Sequence, residues 1–351
     1  WGPITQHSII LMVGAVVVVF LHNVPYKWFQ VFPVFLYPIS LVLLAFVTLM
    51  GIITGDRVNG AARWMTFMGL QFQPSELAKM AVIIAVSFIL SKRQDEEGAN
   101  PKAFKYIMIL TGLVLLLIAP ENLSTAMLLF GVVFMMMFIG RVAAKKLLLL
   151  AGGLVLIVAL GVGTVVAIPA KTLHNTPGLH RLETWQNRIK GFFDKDEVPA
   201  AKFDIDKDAQ IAHARIAIAT SHVVGKGPGN SIQRDFLSQA FSDFIFAIVI
   251  EEMGLIGGIF VVFLYLCLLM RAGRIAQKCE RTFPAFLVMG IALLLVSQAI
   301  LNMMVAVGLF PVTGQPLPLV SKGGTSTLIN CAYIGMILSV SRYTAHLEEQ
   351  K

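Results

Sequence analysis

The residues with most chemical promise lie in one polar stretch. Gly225-Lys226-Gly227-Pro228-Gly229-Asn230-Ser231 is followed by Phe236 through Asp243 and then by an apolar run carrying Glu251 and Glu252. A Gly-rich loop can bring its backbone close to a ligand. Asp243 stands where this loop enters the apolar run. A carboxylate there stands where chemistry on a substrate carried by lipid could happen. From position alone the commoner role of an Asp at a helix start is to cap free backbone N–H groups. Glu251 lies eight residues further on, about 12 Å along a helix and about 80° around it, so it cannot share a substrate oxygen with Asp243. Glu252 falls on the opposite face. Both are costly in lipid, so they should face protein and pair there, in a structural role.

The elements around this point read as membrane helices. Of 351 residues, 57% are hydrophobic and 14% charged, with a mean hydropathy of +0.78. This composition excludes an ordinary soluble domain and predicts an all-α polytopic membrane protein. Nine apolar segments approach spanning length, at 8–22, 33–54, 77–91, 104–119, 123–140, 147–168, 243–270, 284–308 and 325–342. No β-barrel alternation appears. The net charge of +8 does not indicate nucleic acid, because the basic residues concentrate in short loops. One set of loops, from Lys27 through Lys92, Arg93, Arg141, Lys145, Arg271 and Arg342, holds 14 basic residues; the other holds three, Arg57, Arg63 and Lys322. The first set is expected to be cytoplasmic.

The long segment 169–242 then falls outside as an extracytoplasmic loop. Within it Leu182, Trp185, Ile189, Phe192 and Phe193 recur at helical spacing among Arg181, Arg188 and Lys190, an amphipathic helix suited to a membrane surface. The acidic residues of 194–208 lack the Gly and terminal Glu of a calcium-binding EF-hand loop. Cys267, Cys279 and Cys331 have no metal-ligand spacing. Residue 1 also falls outside, which implies one further helix upstream.

Four stretches together resemble a known family. They are Asn59 to Lys79, with Gln73-Pro74-Ser75-Glu76; Pro120 to Ala126; Gly225 to Gly257; and Gln298 through Asn302, Gly308 to Gly314 and Leu317 to Ser326. In order and spacing they are similar to the SEDS family of bacterial cell-wall glycosyltransferases, the FtsW and RodA proteins. The resemblance implies a SEDS-type bundle of ten membrane helices, of which this chain would carry all but the first, in a single membrane domain over 1–351. It also implies polymerisation of lipid II into glycan strands, with undecaprenyl pyrophosphate released. The setting would be the bacterial cytoplasmic (inner) membrane, with the active site on its outer face. The partners would be a class B penicillin-binding protein, met by the helices at 243–270 and 284–308, and other divisome proteins. Asp243 matches the family's catalytic aspartate, and the resemblance implies that it is the base that takes the proton from the attacking sugar hydroxyl. Ser238, Gln239, Phe241 and Ser242 replace the family's usual Pro, Glu, His and Thr, His222 replaces a Gly, Lys322 a Tyr, and Asn122 an Asp.

The remaining candidates for contact with substrate are Arg63, Lys79, Gly227, Asn230, Ser231, Gln239, Ser321 and Lys322. Arg63 and Lys79 could meet a pyrophosphate, whereas Glu76, three residues before Lys79, could simply pair with it. Gly254, Gly257 and Gly258 form a small-residue patch where a partner helix could approach. No resident cofactor is implied, and a divalent cation is left open. The alternatives are a lipid II flippase, disfavoured by the lack of an internal repeat, an elongation polymerase of the RodA type, and a structural anchor, which would not need Asp243.

Overall fold

The computed structural model describes residues 2–53, 65–67, 70–95, 98–168, 186, 209–237 and 240–349. In lipid every backbone polar group must be satisfied within its own segment, and each of the nine apolar stretches is a helix. They are α1 (Gly2–Asn23), α2 (Phe32–Ile53), α3 (Pro74–Lys92), α4 (Pro101–Ile118), α5 (Leu123–Ile139) and α6 (Ala144–Ala167). After the short α7 (Ala209–Ala219) come α8 (Ile245–Lys278), α9 (Thr282–Ala306) and α10 (Gly324–Glu349). Among the described residues seven of these helices have the length and apolarity to cross a membrane, while His7–Asn23 and Leu123–Ile139 form shorter apolar helices. The chain is a multi-pass helical membrane protein.

Local chemistry sets the helix ends. Pro101 opens α4 behind Asn100, whose side chain accepts from the Lys102 N–H at 3.0 Å. Asn122 caps α5 by accepting from the Thr125 N–H at 3.2 Å. Several helices run past their apolar segments. Thus α8 continues to Lys278 and α10 to Glu349, because charged residues interrupt hydropathy without interrupting helix propensity. Two small antiparallel hairpins depart from the all-helical expectation: β1 (Met65–Phe67) with β2 (Leu70–Phe72), and β3 (Gln94–Asp95) with β4 (Gly98–Ala99). Strands this short carry no period that a sequence pattern can reveal.

The chain forms two compact units, residues 1–144 with 263–299 and 318–351, and residues 145–262 with 300–317. In the first, α3 is the central helix, its residues Ala81 to Ala85 almost wholly buried. α10 packs along α1, with Gly335 close against Leu21 and Val18.

The basic loops of this first unit are bonded to one another. Arg342 donates to the Asn23 carbonyl at 2.9 Å and Lys278 pairs with Glu348 at 2.6 Å. The Thr282 hydroxyl meets the Ser91 carbonyl at 3.5 Å, and the Ala99 N–H donates to the Arg141 carbonyl at 3.2 Å. The five loops that sequence places in the cytoplasm thus lie at one end of the unit. The second unit contains α7, the loop that follows it, the first half of α8 and the end of α9 with the segment after it. The surface helix expected within 169–208 lies outside the described residues, apart from Gln186.

Candidate active site

In the second unit the Gly-rich loop is sewn into a break in α8. Gly254 has φ 70° and ψ −171° inside that helix, a backbone open essentially to glycine alone. In an unbroken helix the N–H groups of Leu255 and Ile256 would bond the carbonyls of Glu251 and Glu252. Here all four groups bond the loop instead. Leu255 and Ile256 donate to the His222 and Val223 carbonyls, both at 3.3 Å. The Glu251 and Glu252 carbonyls accept from Lys226 at 3.0 Å and Gly227 at 2.8 Å. Glycines meet across the seam: a Cβ on Gly225 would strike the Gly254 backbone, and one on Gly254 would strike Val223. His222 itself adopts φ 54°, which accounts physically for the glycine common there in the resembling family.

Glu251 fastens the same loop through its side chain. Its carboxylate is fully buried and accepts from Lys226 Nζ at 2.7 Å and Ser231 Oγ at 2.5 Å, and from the N–H groups of Ile232 and Gln233, both at 3.3 Å. The pairing expected for Glu251 is therefore with the loop. Glu252 takes part through its main chain and is half-buried. Ser231, expected to contact substrate, is buried with its hydroxyl held by Glu251, because a short side chain beside a buried carboxylate completes that carboxylate's hydrogen bonding. Asn230 is exposed and its amide donates to the Lys226 carbonyl at 3.1 Å. Gly227 is half-buried at φ 91°. On the other side of the loop, α7 docks on the 3₁₀ turn Gln233–Phe236. His213 Nδ1 lies 2.6 Å from Gln233 Oε1 and its ring stacks on Phe236.

Asp243 is half-buried in the turn that leads into α8. The first helical bonds, from Ala247 at 3.0 Å and Ile248 at 3.3 Å, go to the Phe244 carbonyl. Phe244 thus holds the cap position in the backbone and Asp243 precedes it. Asn302 from α9 donates through Nδ2 to the Asp243 carbonyl at 2.9 Å and to the Gln315 carbonyl at 2.8 Å. Lys226, Glu251 and the loop glycines therefore fix the loop on the break in α8, and Asn302 holds the backbone of the Asp243 turn.

The first unit contains the other candidates. Lys79 is fully buried, ion-paired to Glu76 at 2.8 Å and donating to Gln298 Oε1 at 2.9 Å. The i,i+3 pair weighed against a phosphate role is thus formed. Ser321 is buried and Lys322 exposed. The Tyr265 hydroxyl donates to the Pro318 carbonyl, fixing the Pro-rich segment that precedes them. Arg63 and Gln239 lie outside the described residues. Among the described residues no three His, Cys, Asp or Glu side chains gather as a metal site.

Sequence reasoning passed over Gln298 and Asn302 as site residues. Their signal was present: two amides one helical turn apart in a mostly apolar 25-residue helix.

A multi-pass helical bundle with a polar loop bonded into a break in one of its helices defines the class, a polytopic membrane protein. The family model described as a cell cycle protein, that of FtsW, RodA and SpoVE, matches residues 3–346. This chain belongs to that family. It is 33% identical over 338 residues to the "Probable peptidoglycan glycosyltransferase FtsW" of Trichlorobacter lovleyi, covering 96% of this chain and 82% of that protein. It is 35% identical to the protein of the same name from Geobacter sp. strain M18, covering 90% and 79%. Among solved structures, it superimposes on a chain from work on the structural coordination of polymerization and crosslinking by a peptidoglycan synthase complex. There the TM-score is 0.73 at 26% identity, covering 97% of this chain and 89% of that one. The rod shape determining protein RodA of Thermus thermophilus gives a TM-score of 0.64 at 25% identity, covering 96% and 87%.

Proposed function

We propose that this chain is a peptidoglycan glycosyltransferase that polymerises lipid II in bacterial cell division, with Asp243 as its general base. The observation that carries the reading is the placement of Asp243. It stands in the turn that opens α8, and its backbone carbonyl is held by Asn302. A carboxylate on a fixed backbone at the start of a membrane helix suits a base that takes the proton from a sugar 4-hydroxyl as that oxygen attacks an anomeric carbon. The bond broken joins that carbon to a lipid pyrophosphate. The pyrophosphate is a good leaving group without protonation, so one carboxylate suffices where a glycoside hydrolase uses two.

The cationic contacts to the pyrophosphate are assigned to Arg63 and Lys322. Lys79 acts with Glu76 and Gln298 to hold the bundle. Gly227, Asn230, Gln239 and Ser321 are assigned to the substrate boundary, and Ser231 to anchoring the loop. The single membrane domain sits in the cytoplasmic membrane with its basic loops inside and segment 169–242 outside. Its partner is a class B penicillin-binding protein within the division machinery. Similarity to a chain of a synthase complex supports the partner assignment.

The direct test is incubation of the purified protein and its partner with fluorescent lipid II, in detergent and in sealed vesicles. Penicillin-resistant formation of glycan polymer is expected. Transfer of lipid II across the vesicle membrane with no polymer in either format would replace the enzyme by a transporter.

A further inference from the structure

Asn302 is 1% exposed and ends its useful reach in two places. Its Nδ2 group donates to the main-chain carbonyls of Asp243 and Gln315, so both of its hydrogens are engaged. Neither acceptor belongs to a helix or strand: Asp243 lies in the turn before α8, and Gln315 in the irregular segment after α9. A carbonyl outside regular structure must find its donor elsewhere, and this one amide serves two. The bonds also fix which way the amide faces, because only its NH₂ end can satisfy two carbonyls. Its Oδ1 is buried without a donor among the described residues. Leaving that oxygen unmatched costs stability that an aliphatic side chain of equal size would not. The residue's contribution is therefore its donor end.

We propose that Asn302 is a positioning residue for the transferase, tethering the backbone of Asp243 to the 309–317 segment so that the carboxylate meets the attacking hydroxyl. The proposal rests on the reading of Asp243 as the base. Asn302 acts through the Asp243 backbone, so it shapes turnover more than binding. A displacement of about 1 Å in a reacting group lowers rate by about a hundredfold, and a turn free of its tether can move that far.

The test uses the full-length protein purified with its partner and assayed for lipid II polymerisation. The variants are Asn302→Ala, Asn302→Leu, Asn302→Ser and, as reference, Asp243→Asn. Leucine keeps the size of the side chain and loses its donors, whereas serine keeps one. In Asn302→Ala and Asn302→Leu, kcat should fall by about tenfold to a hundredfold with KM within about threefold, at unchanged partner binding and with the protein fully folded at the assay temperature. Asn302→Ser should recover part of the loss. Wild-type kcat in Asn302→Leu would overturn the proposal. So would a loss of activity matched by an equal loss of folded protein, or failure of all three variants to fold. Activity in Asp243→Asn would instead remove the base assignment, whatever the Asn302 variants do.

Discussion

Glu251 shows how a single buried carboxylate can hold a loop. Its acceptors meet a lysine, a hydroxyl and two backbone N–H groups, and Glu251→Ala would leave all four without their acceptor. Losing one partner of a buried ion pair costs about 3–5 kcal/mol, and the lower end applies because the Lys226 side chain is 27% exposed. Glu251→Ala should lower the thermal midpoint measured in detergent and abolish polymerisation, while Glu252→Ala, whose main-chain bond survives, should do far less. Equal effects from the two would remove the special role of Glu251. The general pairing of Glu251 was legible from the cost of a charge in lipid. Its partners were not, because nothing in the local pattern says that Lys226 and Ser231 fold back over a turn of α8. The same holds for Lys79. Its Glu76 partner could be read from i,i+3 spacing, whereas Gln298, far away in the chain, could not.

At the scale of elements, α8 is two helical pieces joined through Gly254. The nine apolar segments were readable as helices because the lipid requirement leaves no other open structure. The break was not readable, since an isolated glycine in a membrane helix usually marks close packing. The glycine patch, which could either receive a partner helix or pack inside the bundle, is buried in this chain. Gly254 meets Val223, a Cβ on Gly257 would meet Met253, and one on Gly258 would meet Ile250. The outward face of this part of α8 instead carries Leu255, Ile256, Ile259 and Phe260, all more than half exposed. If the penicillin-binding protein docks on α8, it docks on that face through side-chain packing. Ile256→Ala with Phe260→Ala should weaken co-purification of the partner and leave the thermal midpoint almost unchanged. Undiminished co-purification would place the partner on another helix.

At the scale of the whole molecule, the charge asymmetry read from sequence agrees with the hydrogen bonds that join Asn23, Ser91, Arg141, Lys278 and Arg342 loops at one end of the first unit. Topology can be checked by cysteine labelling. Ser231 is unsuitable as the labelled position because it is buried against Glu251; Pro228 is exposed. A cysteine at Pro228 should react in cells with an impermeant maleimide, the outer membrane permeabilised where present. The native thiol nearest a loop, Cys279, gives little background, since burial pushes it up to about 11 and only the thiolate reacts. Labelling of Pro228→Cys only after the cytoplasmic membrane is opened would reverse the orientation.

The base proposed for the assembled enzyme is the Asp243 carboxylate, and the measurement that decides it is single-turnover polymerisation of lipid II by Asp243→Asn and Asp243→Glu beside the wild type. All three should be folded, bound to the partner and matched in lipid II binding. An amide of the same size cannot take a proton, so Asp243→Asn should form no glycan polymer. Asp243→Glu, which keeps a base at a displaced position, should retain a small fraction of the rate. Polymer formed by Asp243→Asn at a rate near that of the wild type would contradict the assignment.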